Sequence, residues 1–173
     1  RNWKNQVIDK MATGLIQLCK QRKVEFVSGK GIFKDSQTIE VDSKTHSFDH
    51  CILATGSRPI QPFQNSSHLI DSTGALDLES VPEKLLVVGG GYIGLEMGSV
   101  YAALGSQVTI VEMMDGLLTG VDRDLVRPLQ HRIKNQFEAI LLNTKVVEIK
   151  QVESKTHVTL ENESGTEQHI FDR

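Results

Sequence analysis

The sequence predicts an α/β fold with a parallel sheet, and three observations lead to that class. From Leu85 onward, strand-like and helix-like segments alternate, which is typical of parallel strands joined by helical crossovers. Three consecutive glycines, Gly89, Gly90 and Gly91, separate the first of these strands from its helix. The segments after residue 144 are short, rich in β-branched residues and separated by turn residues, which indicates a closing antiparallel meander.

The first sixty residues have a different texture. Apolar residues recur at steps of three and four from Trp3 to Leu18, which predicts an amphipathic helix over residues 3–20. A strand is predicted at residues 24–27, followed by a small antiparallel meander with strands at 32–33, 38–41 and 47–48. The apolar run from Cys51 to Ala54 predicts a buried strand that ends in a loop, because Pro59 and Pro62 prevent regular pairing beyond it.

A segment rich in Pro, Asn and Ser, residues 61–82, predicts a crossing between two domains, with a short helix near residues 75–78. The predicted domains are therefore 1–60 and 61–173. In the second, we expect strands at 85–88, 107–111 and 139–142, a helix at 92–104, and a helix from Asp122 to about Lys134 with Leu125, Leu129 and Ile133 on one face. The predicted meander strands are 145–149, 157–160 and 169–171.

Composition excludes several classes of function. The net charge is −3, from 19 basic and 22 acidic residues, which argues against nucleic acid as a partner. No apolar run approaches the roughly 20 residues that cross a bilayer, and no signal-peptide pattern is present. We therefore expect a cytoplasmic protein with no membrane partner. Because the chain begins with Arg1 rather than Met, we also expect a fragment of a longer protein.

The cysteines do not predict a reactive centre. Cys19 and Cys51 lie 32 positions apart, one at the end of a predicted helix and one in an apolar run. This spacing matches neither a redox CxxC pair nor a metal site, so both are expected to be buried thiols and no metal is predicted.

Gly89, Gly91 and Gly94 form a G-x-G-x-x-G motif directly between a buried strand and a helix. In this context Gly89 allows a tight turn, Gly91 leaves room for a pyrophosphate, and Gly94 lets the helix approach the sheet. The phosphates then meet free amide groups and the positive end of the helix dipole. The motif predicts a Rossmann-type dinucleotide site, against the simpler reading of a tight turn alone.

The second predicted strand ends in Glu112, 23 positions after Gly89, close to the spacing of about 20 expected for the acid that binds the adenosine ribose. A carboxylate there accepts hydrogen bonds from ribose hydroxyls and repels a 2′-phosphate. Met113 and Met114 follow it and supply no arginine that could bind such a phosphate. The sequence therefore favours NAD over NADP.

Three sequence runs resemble the pyridine nucleotide-disulfide oxidoreductases. In chain order they are FDHCILATGSRP, VVGGGYIGLEMGSVYAALGSQVTIVE and the final FDR. Within that family the similarity is to the dihydrolipoamide dehydrogenases, and it covers essentially the whole chain. It implies that residues 1–60 are the trailing part of an FAD-binding domain and that residues 61–173 are an NAD-binding domain without its final strand.

The resemblance also implies roles for individual residues. Tyr92 and Ile93 match residues between nicotinamide and flavin, Glu96 an acid that pairs with a flavin-side lysine, and Val146 a residue against the adenine. Gly90 belongs to the same NAD motif. The matching FAD residues are Gly31, Thr55, Gly56 and Ser57.

The departures from the family pattern are equally specific. The amino-terminal FAD glycine motif, the active-site cysteine pair and the carboxyl-terminal interface domain with its catalytic His and Glu have no counterpart in this sequence. No catalytic residue is therefore assigned to this chain, and FAD is not expected to be retained by it.

The resemblance implies a parent enzyme that reoxidises protein-bound dihydrolipoyl groups with NAD⁺ in 2-oxo acid dehydrogenase complexes. Its expected partner is the dihydrolipoyl acyltransferase component, and a homodimer is expected to form through the absent domain. The chain alone is expected to be inactive. Two alternatives remain open: a fragment of a glutathione- or mercuric-reductase-like enzyme, and a non-enzymatic NAD(H)-sensing module.

Overall fold

The computed structural model describes residues 1–60, 63 and 68–173, and it divides into two units, Arg1–Ser57 and Arg58–Arg173. Part of the predicted crossing segment, residues 61–62 and 64–67, lies outside the described residues. The division falls three residues before the boundary predicted from the sequence.

The first unit holds one helix and one small sheet. Helix α1 covers Asn2–Gln21, as its apolar periodicity predicts, and the antiparallel strands are β1 (Ile32–Asp35), β2 (Thr38–Val41) and β3 (Lys44–Ser47). Asp42 and Ser43, between β2 and β3, both have positive φ, at 47° and 64°. Two positive φ values in a two-residue loop are the signature of a type I′ hairpin turn, so the predicted meander is confirmed.

Two predicted strands of this unit are wrong. Residues 24–27 and 51–54 have no regular structure, and Phe26 and Ile52 are 71% and 92% exposed. A strand requires hydrogen-bonding partners on a neighbouring strand, and none of the described strands pairs with either segment. The predicted burial of the cysteines is also wrong: Cys51, in one of these unpaired segments, is exposed, and Cys19, in helix α1, is only half-buried.

The second unit begins with a short helix and then follows the predicted alternation. Helix α2 covers Ser72–Asp77, and Asp71 caps it by accepting a 2.9 Å hydrogen bond from the Gly74 amide. The elements that follow in chain order are β4 (Lys84–Val88), α3 (Tyr92–Ala103), β5 (Gln107–Val111), α4 (Arg123–Ile133), β6 (Ala139–Leu141), β7 (Lys145–Val152), β8 (Lys155–Asn162) and β9 (Gly165–Phe171).

Strands β4, β5 and β6 form a parallel sheet in that order, in which Leu85 pairs with Val108 and Thr109 with Ala139. Strands β7, β8 and β9 form the antiparallel meander. The predicted fold class, a Rossmann-like parallel sheet with a β-meander, is confirmed.

The core of this unit lies on the two faces of β5. Ile110, fully buried, belongs to a cluster with residues of α3 and α4, whereas its neighbour Val111 packs with Val158, Leu160 and Phe171 of the meander. Successive side chains of a strand point to opposite faces, so the helices cover one face of the sheet and the meander covers the other.

One detail of α4 differs from its predicted face. Ile133 is buried as expected, but Val126 is the other buried residue of this helix, and Leu125 is 66% exposed. Val126 belongs to the core cluster of this unit, and periodicity alone does not fix which of two neighbouring apolar residues meets the core.

The last two residues are bonded to β4 on the edge opposite β5. The Asp172 amide donates to the Lys84 carbonyl at 2.9 Å, and the Leu86 amide donates to the Arg173 carbonyl at 3.0 Å. The Asp172 carboxylate also accepts from the Lys84 amide at 2.8 Å and pairs with the Lys155 ammonium at 2.5 Å. The Lys155 hydrogen bond, and then the Lys84 amide, hold the pKa of Asp172 below its usual value.

Candidate functional site

The predicted glycine motif forms the connection from β4 to α3. Gly89 has a φ of +112°, a conformation that a side chain makes unfavourable, and its amide donates to the carbonyl of Val111 at 2.8 Å. This bond ties the start of the turn to the end of β5. The turn therefore lies at the carboxyl edge of the parallel sheet, where open α/β sheets bind their ligands.

Gly91 and Gly94 lie in contrasting surroundings. A Cβ at Gly94 would come within 2.2 Å of the Gly89 carbonyl oxygen, so this glycine allows the helix to pack against the turn. A Cβ at Gly91 would meet no protein atom within 4 Å. The space beside Gly91 is thus open, as the predicted role in pyrophosphate approach requires, and that role stays a prediction.

Helix α3 begins without a side-chain cap. Its N-cap residue is Gly91, which cannot provide a capping group, and its first turn holds no acidic residue. The first amides of a helix have no intrahelical acceptor, and together with the helix dipole they attract an anion. With the open space beside Gly91, this end of the helix can receive a phosphate group.

Glu112 follows β5 directly and is half-buried beside the glycine turn. One carboxylate oxygen accepts a 2.7 Å hydrogen bond from the Gly90 amide, and the other accepts a 2.8 Å bond from the Met114 amide. Each oxygen retains acceptor capacity for another donor, such as a ribose hydroxyl. The structure therefore brings together the predicted turn and the predicted ribose-binding acid.

Gly90 contributes by its lack of a side chain. A Cβ there would lie 2.5 Å from a methyl group of Leu117 and 3.2 Å from the Glu112 Cβ. Leu117 is 1% exposed and belongs to the loop between Glu112 and α4. Sequence reasoning did not single out Leu117, because the loop over residues 113–121 has no periodicity that would indicate a buried position.

The remaining predicted NAD residues lie at three places. Tyr92 and Ile93, in the first turn of α3, are 68% and 45% exposed, and Glu96, one turn later, is also exposed. Val146 lies in β7 opposite Leu160 and is partly buried against the meander cluster. The predicted contacts of these four residues stay predictions.

The predicted FAD residues belong to the first unit. Gly31 directly precedes β1, and Thr55, Gly56 and Ser57 are exposed and lie outside any helix or strand. Their contacts with FAD stay a prediction.

Within the part of the chain that the structure describes, no group of three or more His, Cys, Asp or Glu residues is placed to hold a metal ion. In the same residues, no helix has both the length and the apolar character needed to cross a membrane.

The parallel sheet and the glycine turn at its carboxyl edge together define an α/β protein of Rossmann type. A family model described as pyridine nucleotide-disulphide oxidoreductase matches residues 2–171. The chain belongs to this family.

Named relatives resemble the chain along nearly its whole length. A dihydrolipoyl dehydrogenase of Vibrio cholerae is 43% identical over 97% of this chain and 37% of its own length. One from Geobacillus stearothermophilus is 37% identical over 96% of this chain and 37% of its own. The chain therefore spans somewhat more than a third of the length of these curated relatives.

Solved structures agree on the fold. The HOCl-induced flavoprotein disulfide reductase RclA from Escherichia coli superimposes with a TM-score of 0.81 at 27% identity, over 98% of this chain and 39% of that one. LpdA from Mycobacterium tuberculosis gives a TM-score of 0.76 at 23% identity, over 97% and 39% of the two chains, and supports the fold alone.

Proposed function

We propose that residues 61–173 form an NAD(H)-binding domain and that the whole protein is an FAD-dependent dihydrolipoamide dehydrogenase. One observation supports the cofactor site above the others: the Glu112 carboxylate is hydrogen-bonded to the glycine turn beside the open, uncapped start of α3. In a dinucleotide the adenosine ribose is joined to the pyrophosphate through its 5′ oxygen, so the group that binds the ribose and the groups that bind the phosphates must lie side by side.

In this proposal the amides at the start of α3 bind the pyrophosphate, and Glu112 accepts hydrogen bonds from the adenosine ribose hydroxyls. The same carboxylate repels a 2′-phosphate, and Met113 and Met114 offer no cation to attract one, so NAD is preferred to NADP. Tyr92 and Ile93 lie toward the nicotinamide, Val146 contacts the adenine, and Glu96 pairs with a flavin-side lysine of the whole protein.

The whole protein oxidises a protein-bound dihydrolipoyl dithiol to the disulfide and reduces NAD⁺ to NADH with release of a proton. FAD, when bound, carries the electrons between the thiols and NAD⁺. Residues 1–60 are the trailing part of the domain that holds it, with Gly31, Thr55, Gly56 and Ser57 as its contacts there. We expect this chain alone to be inactive, because the redox cysteine pair and the catalytic His and Glu have no counterpart in it.

The names of the relatives support this assignment, and no comparison favours a glutathione- or mercuric-reductase-like enzyme or a sensing module. The proposal extends to the biology of dihydrolipoamide dehydrogenases: a homodimer that works in the cytoplasm with the dihydrolipoyl acyltransferase component of 2-oxo acid dehydrogenase complexes.

The test is a titration of the chain with NADH and with NADPH, followed by the fluorescence of the reduced nicotinamide. NADH should bind more tightly than NADPH. Glu112→Ala should weaken NADH binding about tenfold, since hydrogen bonds to a charged group are lost, and should narrow the difference between the two cofactors. Glu112→Gln removes the charge and replaces one of the two acceptor oxygens by an NH2 group, which cannot accept from a backbone amide, so it should also narrow the difference between the two cofactors.

The matched control is Glu138→Ala. It removes an exposed carboxylate that directly precedes β6, at the amino ends of the parallel strands and away from the glycine turn at their carboxyl ends. It should leave both affinities unchanged. Equal binding of NADH and NADPH by the unmodified chain would refute the assigned role of Glu112, and absence of NADH binding by the folded chain would refute the proposed site.

A further inference from the structure

Arg123, the first residue of α4, is bonded to the loop that follows Glu112. Its guanidinium donates four hydrogen bonds to three backbone carbonyl oxygens: to Leu117 at 2.9 Å, to Leu118 at 2.7 Å, and to Val121 at 3.1 and 2.8 Å. A planar fork of donors can reach several carbonyls at once, which a lysine ammonium on a flexible stem does less well. The side chain therefore fixes the path of the loop.

Gly116 makes room for this contact. A Cβ at Gly116 would lie 2.8 Å from the Nη1 atom of Arg123, closer than carbon and nitrogen can approach without displacement. The backbone of Gly116 does not adopt a positive φ, so a side chain there would be opposed by the guanidinium and not by the conformation.

The loop held by Arg123 is bonded in turn to the glycine motif. The Leu118 amide donates to the Gly90 carbonyl at 2.9 Å, and the buried Leu117 side chain packs where a side chain of Gly90 would lie. The amide of the same Gly90 donates to Glu112. A continuous set of contacts thus runs from Arg123 through Leu117 and Leu118 to Gly90 and Glu112.

We propose that Arg123 is a positioning residue of the cofactor site: by holding residues 117–121 on Gly90, it keeps the Glu112 carboxylate aligned for the ribose. This inference rests on the proposed function of the glycine turn as an NAD(H) site. Arg123 itself does not touch the cofactor. Its influence is exerted through the geometry of Gly90 and Glu112.

The experiment measures NADH and NADPH dissociation constants for the chain and its variants. Arg123→Ala should weaken NADH binding about tenfold and reduce the preference for NADH over NADPH. A misaligned Glu112 carboxylate accepts weaker hydrogen bonds from the ribose hydroxyls and repels a 2′-phosphate less strongly. Arg123→Lys should restore only part of the affinity. Arg127→Ala, which removes the same charge from an exposed position one turn along α4, is the matched control and should change neither constant.

Gly116→Ala gives an independent perturbation that keeps the arginine and displaces its guanidinium. It should reproduce the change in cofactor preference, and the double variant with Arg123→Ala should be no worse than Arg123→Ala alone, since both changes break the same contact. Melting temperatures of all variants report folding separately.

The outcomes separate the two proposals. Failure of the unmodified chain to bind NADH defeats the proposed function. Normal NADH binding with an unchanged NADH-to-NADPH ratio in both Arg123→Ala and Gly116→Ala overturns the positioning role alone. The positioning role is also overturned if Arg127→Ala changes the two dissociation constants as much as Arg123→Ala does, because loss of positive charge would then explain both results.

Discussion

The two units of the chain bury their apolar residues very differently. In Arg58–Arg173, Val108 and Ile110 are fully buried at the centre of a three-stranded parallel sheet that is covered on both faces. In Arg1–Ser57, all of which the structure describes, Val41 is the only buried residue. Helix α1 has no buried residue at all, and Trp3 is 77% exposed.

The contrast shows how much a strand depends on its neighbours. Residues 51–54 and the segment that becomes β4 have similar apolar patterns, yet only β4 forms a strand. It pairs with β5 along its whole length, whereas none of the described strands pairs with residues 51–54. An apolar run specifies the tendency to form a buried strand, and a hydrogen-bonding partner is required to realise it.

The largest expected effect comes from truncating the same residue type in each unit. Ile110→Ala removes a fully buried side chain and should cost about 2–5 kcal/mol of unfolding free energy. Ile52→Ala removes one that is 92% exposed and should change stability by less than about 0.5 kcal/mol. Hydrogen exchange of the β5 amides measures the loss in Ile110→Ala, and hydrogen exchange of the β2 amides, in the same unit as Ile52, measures the loss in Ile52→Ala. Similar losses in both variants would mean that residues 51–54 are buried in solution.

Substitutions at two glycines of the second unit distinguish effects on stability from effects on cofactor binding. Gly94→Ala places a Cβ 2.2 Å from a backbone oxygen and should cost about 1–3 kcal/mol, together with loss of NADH binding. Gly91→Ala meets no protein atom, so it should leave the melting temperature nearly unchanged while NADH binding weakens, because the added methyl occupies the proposed phosphate space. Unimpaired binding by Gly91→Ala would place the pyrophosphate elsewhere.

Much of the second unit and the centre of its site could be predicted from the sequence. Strand β5 has the predicted bounds. The ends of the other strands differ from the predicted ends by a few residues at most, because each strand has a hydrogen-bonding partner within the unit. The G-x-G-x-x-G spacing and the acid at the end of the second strand were sufficient to place Gly89, Gly94 and Glu112 together. These features are local in sequence or follow directly from parallel pairing.

The features that escaped prediction depend on tertiary geometry. The burial of Leu117 and the four bonds of Arg123 lie in or at the end of a loop, where no period indicates which side chain faces inward. The two amides that bind Glu112 could not be anticipated from residue types, since backbone donors carry no sequence signal. In the first unit, the pattern of residues 24–27 is typical of a strand, but a pattern carries no information on whether a partner strand is present.

A smaller effect is expected from ion pairs of the two units. Asp172→Asn should lower stability by about 0.5–1 kcal/mol near neutral pH, a value kept small because Lys155 is exposed to solvent. The hydrogen bond from Lys155, and then that from the Lys84 amide, lower the pKa of Asp172, so its contribution is complete above the ordinary aspartate pKa. It is lost as the pH falls through the lowered value of the folded state.

Lys155 limits the same interaction at high pH. Its pKa is raised, first by the hydrogen bond to Asp172, so its contribution is complete below the ordinary lysine pKa and disappears as the pH rises through the raised value. The difference in melting temperature between the unmodified chain and Asp172→Asn should therefore be constant from about pH 5 to 9 and shrink outside that range. In the first unit, Glu40→Gln breaks a looser 3.5 Å pair with Lys34 and should have a smaller effect. A difference for Asp172→Asn that grows on acidification would contradict the assignment.

The last comparison applies the same substitution to one helix of each unit. Gly14 lies inside α1, and a Cβ added there would meet no atom within 4 Å, so Gly14→Ala should stabilise the helix by about 0.5–1 kcal/mol through lower backbone entropy of the unfolded chain. Gly98 lies inside α3, and Gly98→Ala lowers the backbone entropy of the unfolded chain by the same amount. There, however, the Cβ would lie 3.1 Å from Ile110 and 3.4 Å from Phe137, and displacing them should cancel or reverse the gain.

Far-UV circular dichroism during thermal unfolding measures both glycine variants. Gly14→Ala should raise the helical signal, and Gly98→Ala should leave the melting temperature of the second unit unchanged or lower it. Because intrinsic helix propensity is identical in the two cases, the difference between them isolates the packing of α3 on the sheet. Equal stabilisation by both variants would show that α3 is held no more closely against β5 than α1 is held within its own unit, and the contrast between the units would then have to be abandoned.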